Sequence, residues 1–159
     1  MQNEQAGEPL LQFPYGLYVV SSFYGKKPRG IVANWVTQLS FRPALVGAAI
    51  EADSKMKSYI EVSGLFAVNF LPAGGKELAR RFLKETGVAA EESTDDAFSL
   101  PSKGGPFLKD ASASIGCKVV QKIRAGDHIL FVGEVVESIV NRNGEVLTLK
   151  ETGWRYFRR

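Results

Sequence analysis

Between Tyr15 and Lys150 the chain is cut into short apolar runs by glycine, proline and asparagine, and this punctuation limits the fold more than any other feature. "YGLYVVSSF" and "GIVANWV" flank "YGKKPRG", where Gly25, Pro28 and Gly30 interrupt the apolar pattern. "ALVGAAI" after Pro43 and "LFAVNFL" at 65–71 are nearly continuous apolar stretches of strand length, as expected of strands buried on both faces. Farther on, "SIGCKVVQKI", the turn "RAGD", "HILFVGEVVESIV", the turn "NRNG" and "EVLTLK" predict three successive antiparallel strands. Asn143-Gly144 is the strongest hairpin signal among them, because both residue types tolerate positive φ.

Two helices interrupt the strands. Asp53 or Ser54 caps "KMKSYIEVS", whose Met56, Tyr59, Ile60 and Ser63 share one face at helical spacing. "KELARRFLKETG" starts after Gly74-Gly75 and stops at Gly87, with Leu78, Phe82 and Leu83 on its apolar side. Residues 88–110, rich in Ser, Asp, Gly and Pro, predict a long surface loop. Many short antiparallel strands with two helical excursions predict a mainly β protein, a small closed or nearly closed barrel. The 159 residues suit one domain spanning 1–159.

Composition removes several function classes. The formal charge of +3 is mild, and the basic residues cluster only at "GKKPRG" and "RYFRR". Anionic small molecules suit that balance as well as nucleic acid does. A nucleic-acid surface built on Lys26, Lys27 and Arg29 would require strongly salt-dependent binding. Cys117 is the single cysteine, so an intramolecular disulfide and a Cys-rich zinc site are both excluded, and its apolar neighbours predict a packing role. The opening "MQNEQAGEPLLQFPYG" lacks the basic-then-apolar order of a signal peptide, and no apolar stretch approaches the roughly 20 residues of a membrane helix. A soluble, cytoplasmic protein is expected.

Familiar catalytic signatures are missing. No G-x-G-x-x-G opens a helix, no G-x-S-x-G forms a nucleophile elbow, and "GGKE" has Phe70 and Glu77 where a phosphate loop needs Gly and Ser or Thr. Asp127 and His128 are sequence neighbours, so on a single strand their side chains point apart and do not form a dyad. The helix start at 53–57 offers free backbone N–H groups with Lys55 and Lys57 beside them, against the charge of Glu51 and Asp53. Phosphate binding and a solvated helix start both fit that stretch. "VANWVTQLS" (32–40) carries Asn34, Trp35, Thr37 and Gln38 in an otherwise apolar strand, which fits either a heterocycle-binding surface or a half-exposed strand. His128, the only histidine, fits packing, surface or ligand roles.

Taken in order, these segments resemble the flavin reductase-like family of FMN-binding split barrels. The correspondence runs through "GIVANWVTQLSFRPALVGAAI", "SKMKSYIEVSGLFAVNFL", "ELARRF", "AGDHILFVGEV" and the closing "GWRYFRR", which resembles a terminal Gly-x-Tyr strand. Ala44 replaces a second proline, Met56 stands where many members carry Thr or Ser, and Asn34-Trp35 occupy positions that are often Ser-Ser. The resemblance implies a split β-barrel with two or more short helices, its core at about 13–157, forming a homodimer with FMN near the subunit interface. It places Val32, Ala33, Asn34 and Trp35 along the isoalloxazine, with Ala49, Ile50 and Glu51 beside the flavin. Lys55, Met56 and Lys57 fall at the phosphate end, Arg81 and Phe82 at the ribityl or phosphate side, and Arg29 and Gly30 at a weaker contact. His128 falls on the reactive face, where it positions nicotinamide or bonds a flavin oxygen.

What the resemblance implies for function is an NAD(P)H-dependent flavin reductase that passes hydride from NADH or NADPH to flavin N5. Oxygen, iron, an oxygenase or an electron-transfer protein would then take the electrons, with no nucleic acid, membrane or metal involved. The alternative is a flavoredoxin-like electron carrier whose FMN is reduced by a protein partner.

Overall fold

The computed structural model describes residues 7–83 and 95–156. Seven strands form one antiparallel sheet: β1 (Tyr18–Tyr24), β2 (Lys27–Ala33), β3 (Val36–Phe41), β4 (Ala44–Glu51), β5 (Leu65–Phe70), β8 (Ala113–Ala125) and β9 (His128–Val140). Their order across the sheet is β2-β1-β5-β8-β9-β4-β3. The two edge strands, β2 and β3, are consecutive in the chain and separated only by Asn34 and Trp35. Six strand spacings laid flat would put those edges about 29 Å apart. The link from Ala33 to Val36 reaches about 11 Å. The sheet therefore has to curl until its edges nearly meet, and the result is a split barrel.

Two cores flank the wall of this barrel. Val20, Ala48, Ile50, Phe66, Val68, Cys117 and Phe131 fill one, beneath α2 (Lys55–Ser63), which contributes Met56 and Ile60. Leu17, Val19, Leu71, Phe82, Phe98, Leu108 and Leu147 fill the other. Successive residues Val19 and Val20 enter different cores, so β1 is buried on both faces. The buried Asn69 side chain in this wall is fully satisfied. Asn69 donates to Val19 O and Ser21 Oγ, both at 2.9 Å, and its Oδ1 accepts from Leu108 N (2.8 Å) and Ser114 Oγ (2.7 Å). Helix α2 has matching caps: the Ser54 hydroxyl accepts from Lys57 N, and Gly64 takes the left-handed conformation with its N–H on Ile60 O.

Several sequence expectations are corrected. "VANWVTQLS" is not one strand, because Asn34-Trp35 breaks it where the sheet edges meet. The hairpin expected at Asn143-Gly144 does not form. Residues 145–148 lie extended between 15–17 and 71–73, bonded as Leu17 N to Leu147 O (2.7 Å) and Leu147 N to Leu71 O (2.8 Å), and Leu149 N donates to Tyr15 O (2.9 Å). Burial of Leu147 in the second core draws this segment away from β9. The chain then turns into α4 (Leu149–Thr152), capped by the Thr148 hydroxyl.

The second predicted helix is only α3 (Lys76–Arg80); its expected end at Gly87 lies outside the described residues. Phe82 N bonds Ala79 O, a three-residue step that tightens the last turn, and Phe82 O is taken by Val32 N of β2 at 2.9 Å. The 88–110 stretch is more than a surface loop where it is described. A 3-10 turn (Asp95–Ala97) and the two-stranded β6 (Phe98–Ser99) and β7 (Phe107–Leu108) insert Phe98 and Leu108 into the second core. Residues 154–156 carry no strand, and a short helix, α1 (Gly7–Leu10), opens the described chain. Cys117 is fully buried, as expected of a packing residue, and burial pushes its thiol up to about 12.

Candidate functional site

The seam left by incomplete closure is a cleft of about 490 Å³, within the size range of small-molecule sites. One wall is the end of β2 and the link that follows it: Val32, Ala33, Asn34 and Trp35. Ala49, Ile50 and Glu51 at the end of β4 form another, tied to the first by Ala49 N donating to Trp35 O at 2.9 Å. His128 opens β9 directly across the ladder from Glu51. Trp154, Arg155 and Tyr156, beyond α4, complete the rim. The sheet topology thus gathers eight of the sequence-predicted residues, from three separate chain segments, around one opening.

His128 is almost fully buried, at 6% exposure, and the ring centroid of Trp35 lies 4.5 Å from its own. Its Nδ1 is 2.6 Å from Asp127 Oδ1. That contact corrects the expectation that adjacent Asp127 and His128 point apart. Gly126, at φ 62°, and Asp127 form the two-residue turn between β8 and β9, so Asp127 is not subject to strand alternation and folds back onto the ring. On the other side, Nε2 is 3.3 Å from the Tyr156 hydroxyl, which donates to Glu51 Oε1 at 2.6 Å. Asp127, His128, Tyr156 and Glu51 form a polar chain, the last three lining the cleft, with Trp35 against His128 and Tyr156.

Asn34 is the contrasting case to Asn69. It lines the cleft at 8% exposure, yet its Nδ2 is buried with no hydrogen-bond partner. A buried amide donor left unpaired costs about 1–3 kcal/mol. Such orphans are rare in folded proteins and suit a position completed by a ligand's acceptor. A largely apolar cleft with an orphaned donor, an aromatic wall and a buried histidine fits an oxygen-bearing heterocycle such as a flavin.

The other candidates lie elsewhere. Met56, at 2% exposure, points into the core with Ile60, while its helical neighbours Lys55 and Lys57 face outward. Lys57 Nζ pairs with Glu61 Oε2 at 2.9 Å; hydrogen bonds from Lys57 and Lys122 hold the Glu61 carboxyl below its ordinary range. Phe82 is buried in the second core, edge-on to Phe98, with the Arg81 guanidinium 5.8 Å from its ring centroid. Gly30 is a packing position: a Cβ there would come 2.8 Å from Val19 Cγ1 and 3.0 Å from Phe98 Cζ. Arg29 sits farther back on β2, its Nη1 donating to Pro28 O at 2.7 Å. None of these seven residues lines the cleft.

Sequence reasoning did not select Leu17, Ile31, Ser54, Leu83, Leu149 or Trp154–Tyr156 as site residues. Ser54 was legible only as a helix cap, although it also lines the cleft at the start of α2. The aromatic and basic "GWRYFRR" was the available signal for the rim. A second cleft of about 950 Å³, walled by residues 10–16, shares Trp35, His128, Leu149, Trp154, Arg155 and Tyr156 with the first. Among the described residues no cluster of His, Cys, Asp or Glu is placed to hold a metal ion, and no helix is long and apolar enough to cross a membrane.

Comparison with known proteins agrees with this geometry. The family model described as "Flavin reductase like domain" matches residues 10–157. The reductase component of 4-hydroxyphenylacetate 3-monooxygenase from Thermus thermophilus is 29% identical over 150 residues, covering 93% of this chain and 92% of that protein. A putative diflavin flavoprotein of Nostoc sp. is 31% identical over 134 residues, which cover 84% of this chain but only 23% of that longer protein. The solved structure of the NADH:FAD oxidoreductase from Streptomyces globisporus C-1027 superposes with a TM-score of 0.84 at 28% identity, covering 99% of this chain and 94% of that one.

Proposed function

The chain belongs to the flavin reductase like domain family, and from that premise we propose that it is an NAD(P)H-dependent flavin reductase. The observation that carries the reading is the seam cleft itself, where an unpaired buried Asn34 amide and a carboxylate-held His128 face one slot. When bound, FMN supplies a hydride acceptor at N5. The remaining work belongs to this chain's residues. Val32, Ala33 and Trp35 exclude water from the slot, and Asn34 offers its N–H to a ring carbonyl. Ser54, which lines the cleft at the start of α2, is the candidate contact at the flavin's phosphate end. Asp127 fixes the His128 ring so that it can orient the nicotinamide against the flavin. No general acid or base is required for hydride transfer to flavin N5, so none of these residues has to move a proton in that step.

The reactants, NADH or NADPH, and a partner oxygenase as acceptor fit a cytoplasmic setting and the reductase-component relative. A homodimer is supported by the large apolar side chains left at the surface, among them Phe41 at 84% and Val140 at 68% exposure. One domain, its core at about 13–157, carries the whole site. A specific observation also favours the electron-carrier alternative: Trp35 and Tyr156 both crowd His128 from the side where nicotinamide would enter. Anaerobic addition of NADH and NADPH to FMN-loaded protein separates the two. A reductase loses its flavin visible absorption within the mixing time or seconds after it. A carrier keeps its colour until a protein donor is supplied.

A further inference from the structure

The Thr148-Leu149-Lys150-Glu151 sequence that opens α4 has the pattern of a capping box, in which the carboxylate turns back onto the backbone N–H of the cap residue. Half of that box forms: the Thr148 hydroxyl accepts from Glu151 N at 3.2 Å. The Glu151 carboxylate goes elsewhere. Its Oε1 accepts from Gly74 N at 2.6 Å, 77 residues away in sequence.

The turn that receives it is built to offer that N–H. Gly74 sits at φ 77°, and a Cβ on Gly75 would come 2.7 Å from Pro72 O, so both positions demand glycine. The turn is also held in place, since Ala73 N donates to Glu145 O at 2.8 Å and Gly75 N to Pro72 O at 2.9 Å. One residue on, Lys76 Nζ lies 5.7 Å from the ring centroid of Trp154, within cation–π range. "GGKE" is no phosphate loop; it grips the C-terminal segment on both sides of Gly153, at Glu151 and at Trp154. Trp154 borders both clefts, whereas neither Lys76 nor Glu151 lines either of them. The rim from Trp154 to Tyr156 has no strand pairing and follows Gly153, whose φ is 71°. It is the part of the wall that can swing without breaking a ladder.

We propose that Lys76 and Glu151 are positioning residues that latch the Trp154 rim closed, and so set how fast flavin exchanges without setting how tightly it binds. This rests on the flavin reading of the cleft given above. The separation of rate from affinity follows from the geometry. Both latch contacts are made to the rim and none to the space a ligand would fill, so they favour the closed rim whether the cleft is empty or full. A ligand that passes only when the rim is open is then slowed equally on entry and on exit, and the ratio of the two rates is untouched.

Stopped-flow quenching of FMN fluorescence over a series of protein concentrations measures both steps, entry from the slope of the observed rate and exit from its intercept. Lys76→Met and Glu151→Ala are each expected to raise both rates by the same factor, about two- to fivefold, the worth of one exposed cation–π contact or surface hydrogen bond, with Kd unchanged. Lys76→Arg keeps a cation over the ring and should restore the wild-type rates. With Trp154→Leu already in place, Lys76→Met should add nothing, because Lys76 acts through that ring. Rates that do not move in Lys76→Met overturn the proposal. So does an exit that quickens alone with Kd raised in proportion, the signature of a lost wall contact, or a Lys76→Met effect that persists without Trp154. If Glu151→Ala unravels α4, the Lys76 variants still decide. Tight FMN binding with unaltered exchange in Lys76→Met refutes the latch alone. Failure of the wild-type chain to bind FMN refutes the flavin reading and the latch with it.

Discussion

Replacing Asn34 by Ala should have opposite effects on the empty protein and on flavin binding. Asn34 Nδ2 is buried without a partner, and relieving that orphan returns about 1–3 kcal/mol. Truncation also removes packing atoms, at a cost of roughly 1 kcal/mol. The flavin-free protein should therefore keep its stability or gain up to about 2 kcal/mol, a rise in Tm of up to about 8 °C for a domain of this size. Flavin binding should weaken, because the amide's missing acceptor is supplied only by the ligand. Loss of one such bond, about 1–2 kcal/mol, corresponds to roughly a fivefold to thirtyfold higher Kd. Asn69→Ala is the internal control. Its side chain makes four hydrogen bonds, so truncation strands several buried groups and should lower Tm by at least about 6 °C. Differential scanning fluorimetry on apoprotein and quenching of FMN fluorescence measure the two effects. If Asn34→Ala destabilises the apoprotein as much as Asn69→Ala does, the amide has a structural partner and the argument fails.

His128→Ala should leave FMN affinity nearly intact while slowing anaerobic flavin reduction by about fivefold to a hundredfold, with partial recovery in His128→Asn; stopped-flow spectroscopy checks both. Lys57→Ala should discriminate little between FMN and riboflavin, because Lys57 already pairs with Glu61; parallel fluorescence titrations with the two flavins decide this. Cys117 should resist alkylation by iodoacetamide at pH 8 until the protein unfolds. Burial raises its folded-state pKa to about 12, so the thiolate is suppressed throughout that range and appears only on unfolding; mass spectrometry with and without denaturant reads the difference.

The fold was legible where local pattern and burial agree. The apolar runs at 44–50 and 65–71 are strands, and the Ser54 to Gly64 helix has the caps its sequence specifies. It was illegible where a distant partner overrode a local signal. Asn143-Gly144 is a strong hairpin pair, yet the next segment is held by Leu17 and Leu71, far off in sequence. "KELARRF" has helical periodicity, but the carbonyl of Phe82 is claimed by β2. At the site, the family resemblance pointed to the residues at the ends of β2 and β4, whereas period-2 reasoning misjudged Asp127, which belongs to a turn and not to a strand. Trp154 and Tyr156 reach the cleft only through the packing of α4, a tertiary fact that no spacing rule encodes. Met56 illustrates the converse, since its neighbours Lys55 and Lys57 made the helix start resemble a ligand surface while Met56 itself packs inward.

We propose that closure of the sheet at Asn34-Trp35 creates one flavin site per chain, with Trp35 against the ligand. Titration of FMN into the protein, followed by flavin fluorescence, tests it most directly. Saturable quenching at micromolar concentration with one FMN per chain, weakened in Asn34→Ala, is the expected result. Absence of quenching, or quenching that Asn34→Ala leaves untouched, would contradict it.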